Sequence, residues 1–176
     1  TMDKNTVDCS AIFIFLNKTC FRGLFRVNKN NKFNVPYGHY KNTPCGPSKT
    51  ELNRLSNLIK NVIFMDLDFE KSLQQIIPQD FVYLDPPYYP IEKNKTSFNT
   101  YTPDGFGLKK HKKLFAMIKQ LSKTNVSFVL SNANNPFVSS TFNSFNVEKI
   151  QVKRRINSKK PDSQAFELII NNKNNQ

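Results

Sequence analysis

Apolar positions recur along this chain with two different spacings, and the spacing assigns the elements. Leu52, Leu55, Ile59 and Val62 stand three or four apart, as on one face of an α-helix. Ser48-Lys49-Thr50-Glu51 precedes them with the S-x-x-E spacing of a capping box, which satisfies backbone N–H groups at a helix start. Leu114, Met117, Ile118 and Leu121 stripe a second helix, with Lys109, Lys110, Lys112 and Lys113 at its start. Short runs rich in β-branched and aromatic residues predict strands at 62–65, 81–84, 127–130, 147–152 and 165–170. Residues 8–20 read as a helix begun by Asp8 or Ser10, or equally as a strand, because the Ile/Phe run fits both periods. Between 24 and 41, short β-type pieces flank the turn-forming tract Asn28-Lys29-Asn30-Asn31, which predicts a hairpin with a basic, aromatic surface. Residues 43–47 and 90–107 read as loops, and Ser131-Asn132-Ala133-Asn134 as a turn. Strands alternate with helices, so the fold class is α/β. The tail from Asn171 is polar.

Composition narrows the partners. A chain of 176 residues with 38% hydrophobic positions can bury a core. The densest apolar run, residues 11–16, falls far short of the roughly 20 residues of a membrane span and lacks the flanks of a signal peptide. We therefore expect no membrane and no secretion. Cys9, Cys20 and Cys45 are odd in number and lack C-x-x-C spacing, which suits free thiols in a reducing compartment such as the cytoplasm. His39 and His111 have no paired spacing, so no metal site is expected. The net charge is +13. It favours a polyanion partner, although an Asn- and Lys-rich proteome would produce the same excess.

The chemistry sits where the strand Phe81-Val82-Tyr83-Leu84 runs into Asp85-Pro86-Pro87-Tyr88. Prolines end a strand because they lack the N–H a ladder needs. Asp85 thus stands at a strand's C-terminal end, where ligands bind in open α/β sheets. The four residues resemble the catalytic motif of amino-methylating DNA methyltransferases. An exocyclic base amine is a poor nucleophile, since its lone pair is delocalised into the ring. The Asp85 carboxylate and the Pro86 carbonyl could each accept one amine N–H, localising the lone pair, while the rigid Pro86-Pro87 backbone holds the carbonyl in place. Tyr88 would stack on the extruded base. Read without the resemblance, the motif is a strand followed by a proline-rich turn.

The resemblance extends along most of the chain. "CFRGLFRVNKNNKFNVPYGHYKN" at 20–42 looks like the DNA-reading hairpin of Dam-type adenine-N6 methyltransferases. "LSNAN" at 130–134 and "VKRRINSKKPDSQAFELIINN" at 152–172 resemble later segments of that family, in its order. The resemblance implies a GATC target in duplex DNA and a role for each matched residue. Arg26 would read guanine, and Leu24 and Pro36 would touch a thymine methyl. Phe21 and Arg22 would wedge beside the flipped adenine. Asn28, Asn34, His39, Tyr40 and Lys41 would meet phosphates. Arg22 and His39 depart from the family pattern, which has a smaller polar residue and an arginine there. Lys109–Lys113 read as a solvated helix face. The basic loop with Lys153-Arg154-Arg155 and Lys159-Lys160 suits phosphate contact or closure over the bound strand.

The resemblance also implies S-adenosylmethionine as cofactor, with Asp85, Asp68 and Phe69 as the residues here that touch it. Asp68 and Phe69 read equally as a capped turn. The family's glycine-rich F-x-G-x-G turn is absent from a chain with only five glycines. The expectation is a partial Rossmann-like methyltransferase sheet with an inserted helical and β-hairpin DNA-recognition element, its N-terminal cofactor-binding strands missing. Residues 1–61 would recognise the target and 62–176 would carry catalysis. Lost strands would leave sheet edges unpaired, so a second chain supplies that half, or this is a fragment, or the sheet closes differently. A non-catalytic DNA-binding relic is the alternative from another class, and methylation of RNA or a free base is a third.

Overall fold

Thr6, rather than Asp8 or Ser10, starts the first helix. The computed structural model describes residues 3, 5–42, 44–89, 106–153 and 164–172. In it the Thr6 hydroxyl accepts the Cys9 N–H (3.2 Å) at the head of α1 (Val7–Thr19). The chain forms two compact units, Thr1–Phe64 and Met65–Gln176.

In the first unit, α1 leads into a 3-10 turn, Phe21–Gly23, where Arg22 and Gly23 both adopt positive φ (58° and 65°). The expected hairpin follows, but as two isolated bridges, Cys20 with Tyr37 and Val27 with Phe33, rather than continuous strands. Its tip is the Asn28 tract: the Asn28 N–H donates to the Lys32 carbonyl (2.8 Å) and Asn31 takes the left-handed φ of 57°, which asparagine tolerates. Gly38 is needed nearby, because an added Cβ would meet the Tyr40 ring at 2.4 Å. The capping box forms as expected on α2 (Lys49–Ile59), with the Ser48 hydroxyl accepting the Glu51 N–H and the Glu51 carboxylate accepting the Ser48 N–H. Those bonds hold the Glu51 carboxyl below its ordinary value. The apolar stripe of α2 is uncovered, with Leu52, Leu55 and Leu58 exposed.

Residues 62–65 do not form the expected strand. They are extended and exposed, Ile63 at 82% and Phe64 at 74%. A strand needs a neighbour to complete its ladder, and among the described residues none lies beside them.

The second unit is built on a four-stranded mixed sheet of order β1-β2-β4-β3, from β1 (Phe81–Leu84), β2 (Ser127–Ala133), β3 (Asn146–Lys153) and β4 (Gln164–Asn171). β1 and β2 are parallel, joined through α4 (Leu108–Leu121), while β4 is antiparallel to both β2 and β3. Short helices α3 (Phe69–Leu73) and α5 (Pro136–Thr141) were not legible as such. β2 runs on through Ser131-Asn132-Ala133, where a turn was expected, because these residues pair with Ile169, Leu168 and Glu167. The core joins Leu114, Phe115 and Ile118 of α4 to Phe128, Leu130, Leu168 and Ile170 of the sheet, with Val138 and Phe142. β1 is a sheet edge, with Phe81 and Tyr83 exposed. No described helix is long and apolar enough to cross a membrane. Most of the 90–107 loop and the basic loop after Lys153 lie outside the described residues.

Candidate functional site

Asp85 follows β1 directly and is exposed. The parallel neighbour β2 carries Ser131 opposite the strand's end, and the Ser131 hydroxyl donates to Asp85 Oδ1 (2.9 Å). One carboxylate oxygen is thereby oriented, and the other has no partner among the described residues. Pro86, Pro87, Tyr88 and Tyr89 follow in a half-buried turn. Among the described residues, nothing donates to the Pro86 carbonyl.

Three elements grip that turn. From β4, Glu167 Oε2 accepts the Tyr88 O–H (3.1 Å). From β2, Asn132 Oδ1 accepts the backbone N–H of both Tyr89 (3.0 Å) and Ala133 (2.9 Å). From α4, His111 Nε2 faces the Pro87 carbonyl (2.9 Å). Asn132 is fully buried and its Nδ2 has no partner among the described residues, where an unsatisfied donor costs about 1–3 kcal/mol. Sequence reasoning weighed His111 only as a metal ligand and left Ser131, Asn132 and Glu167 without roles. Their signal was polarity inside otherwise apolar runs, since a polar residue on a buried strand needs an assigned partner.

Burial pushes the Tyr88 phenol up to about 12; the Glu167 and Asp85 charges add to the rise, and a Ser131 hydrogen bond opposes it. The folded value lies above the ordinary value of about 10, so this contribution to stability is full below pH 10 and is lost as pH rises toward 12. Wild type should therefore lose stability relative to Tyr88→Phe across that window. Parallel unfolding free energies from pH 9 to 11.5 would contradict the assignment.

Asp68 and Phe69 lie at the head of α3. The Asp68 carboxylate accepts the Glu70 N–H (3.0 Å) as the cap of α3, and the Phe69 ring packs edge-on against Phe106 at 5.5 Å.

In the first unit Phe21, Arg22, Leu24, Arg26, Asn28, Asn34, Pro36, His39, Tyr40 and Lys41 are all exposed. Arg26 Nε donates to Asn34 Oδ1 (2.9 Å) and one Nη to the Asn34 carbonyl (3.0 Å). A guanidinium has five N–H donors, so the far end of the fork keeps donors to spare. Asn28 Oδ1 accepts the Asn30 and Lys32 N–H groups (2.9 and 3.0 Å). The Arg22 guanidinium lies over the Phe21 ring at 5.2 Å. The Tyr40 O–H donates to the Cys20 carbonyl (2.9 Å), tying the far limb of the hairpin to the end of α1.

Residues 2–156 match the family model of the D12 class of N6 adenine-specific DNA methyltransferases. The chain belongs to this family. Among its relatives, the type II methyltransferase M.MjaIII of Methanocaldococcus jannaschii is 40% identical over 178 residues, covering 97% of this chain and 61% of that protein. M1.LlaDCHI of Lactococcus lactis subsp. cremoris is 36% identical over 173 residues, 96% of this chain and 60% of that one. The DNA adenine methylase of Haemophilus influenzae is 33% identical over 157 residues, 89% of this chain and 54% of its own length. The chain thus spans 54–61% of the length of these curated relatives. Its mixed α/β sheet is compatible with a methyltransferase fold.

Proposed function

We propose that this chain is the target-recognition and catalytic portion of a DNA adenine-N6 methyltransferase that reads GATC-like duplex sites. The observation that carries the reading is the oriented, exposed Asp85 carboxylate beside an unengaged Pro86 carbonyl, at the C-terminal end of a parallel strand. Asp85 and Pro86 each accept one N–H of the extruded adenine's N6 amine. The lone pair is localised on nitrogen and aimed, which is catalysis by positioning. Tyr88, its hydroxyl tied to Glu167, holds its ring against the base, and Phe21 and Arg22 fill the space the base has left. After transfer, the surplus N6 proton passes to the Asp85 carboxylate or to solvent.

S-adenosylmethionine, when bound, supplies the electrophilic methyl. Among the described residues, Asp85 would meet its reacting end. Asp68 and Phe69 are engaged in capping and packing. We therefore assign the donor's pocket to a further stretch, on the same or another polypeptide, that pairs with the open edge of β1. The exposed Phe81 and Tyr83 on β1 support such a partner, because an apolar sheet edge invites a strand.

The test is tritiated-methyl transfer to a GATC duplex and its single-base variants, by the chain alone and with that stretch supplied. Transfer is expected only in the completed enzyme. Arg26→Ala should cost about 1–3 kcal/mol on the cognate site and flatten preference at one base pair, whereas Lys41→Ala should weaken all sequences alike. Duplex binding without any transfer in the completed enzyme would favour a non-catalytic DNA-binding role instead.

A further inference from the structure

We propose that His111 is a positioning residue for the transfer, holding the Pro87–Tyr88 peptide by its carbonyl and so fixing the turn in which the Pro86 carbonyl is the free acceptor. The inference rests on the reading above. His111 is fully buried on α4, inside a sleeve of three rings: Phe106 at 4.7 Å, Tyr89 at 5.2 Å and Phe115 at 5.9 Å between centroids. Its two ring nitrogens face two carbonyl oxygens, Nδ1 at 3.1 Å from Gly107 and Nε2 at 2.9 Å from Pro87. A neutral imidazole has one N–H to give. The Gly107 carbonyl already accepts the backbone N–H of His111 (3.1 Å). The Pro87 carbonyl, in a half-buried turn, has no other donor among the described residues. With its proton on Nε2, the ring donates to the Pro87 carbonyl.

Two consecutive prolines make this contact count. Pro86 and Pro87 have no N–H, so the turn cannot be fixed by donating from its own backbone until Tyr88. The Pro87–Tyr88 peptide is held through the Pro87 carbonyl by His111. Asn132 secures the next N–H, that of Tyr89. The buried His111 ring touches no position open to a base, so it acts through the turn rather than on the substrate.

The test compares His111→Phe, which keeps the ring and removes the donor, with His111→Gln, whose amide N–H reaches the Nε2 position. The first readout, on the full chain without substrate, is NMR hydrogen exchange of the Tyr89 amide. It should rise about 10-fold or more in His111→Phe and return toward wild type in His111→Gln. The second is single-turnover methyl transfer in the completed enzyme. It should fall about 10- to 100-fold in His111→Phe, with duplex affinity nearly unchanged, and recover in His111→Gln. If His111→Phe does not fold, His111→Asn, which is too short to reach Pro87, replaces it in the same contrast. Unchanged Tyr89 exchange would overturn the tether. Faster exchange with undiminished transfer would overturn the positioning role, and failure of Gln to restore either readout would reduce His111 to packing. If the completed wild-type enzyme transfers no methyl to adenine while exchange follows the tether, the proposed reaction falls and the tether stands.

Discussion

Asp85→Ala should reduce methyl transfer by the completed enzyme about 1,000-fold or more, while leaving the fold and duplex binding nearly intact. The carboxylate is exposed and makes one hydrogen bond, from Ser131, so its removal should cost about 1 kcal/mol of stability or less. Its part in catalysis is larger. Without it, one amine N–H loses its acceptor, the lone pair stays delocalised into the ring, and the amine is free to rotate away from the donor. Misorientation of reacting groups alone can cost about 100-fold, and loss of an acceptor aimed at developing charge adds about 100- to 1,000-fold. The loss should fall on the rate of the chemical step and not on the affinity for duplex. Single-turnover rates, with thermal unfolding and salt-matched duplex titrations on the same preparations, separate these effects. Undiminished transfer would remove Asp85 from the mechanism, and a large drop in unfolding temperature would make its role structural.

Phe115→Ala should produce the largest stability change, a loss of about 3–5 kcal/mol. Phe115 is almost fully buried on α4, its ring against Phe142 at 5.0 Å, Phe137 at 5.8 Å and His111 at 5.9 Å. Truncation leaves a cavity where helix, sheet and α5 meet. Native domains have only about 5–15 kcal/mol of stability in total, so much of it would be lost. Leu58→Ala, at a residue 77% exposed on α2, should change stability by no more than about 0.5 kcal/mol. Urea unfolding of both variants checks the contrast. A loss below 1 kcal/mol for Phe115→Ala would mean that the rings around it close over the gap. Because Phe115 also walls the His111 sleeve, its loss should speed exchange at Tyr89, linking core packing to the Pro86–Tyr89 turn.

Local sequence determined the features whose physics is local. The S-x-x-E spacing produced the capping box on α2, since both partners lie within one helical turn. The Asn28 tract produced the hairpin tip, because asparagine and its side-chain hydrogen bonds favour a tight turn. Asp85-Pro86-Pro87-Tyr88 announced itself because two prolines must end the strand that precedes them. Tertiary structure decided what depended on a neighbour. Residues 62–65 have the composition of a strand, but strand formation needs a ladder partner and none of the described segments provides it. Ser131-Asn132-Ala133 have the composition of a turn, yet they continue β2 because β4 pairs with them and because their side chains are consumed by Asp85 and the Tyr89 N–H. Likewise nothing near His111 in the chain indicated its task. Its partner, the Pro87 carbonyl, lies 24 residues away, and only the packing of α4 against the Pro86–Tyr89 turn brings the imidazole to it.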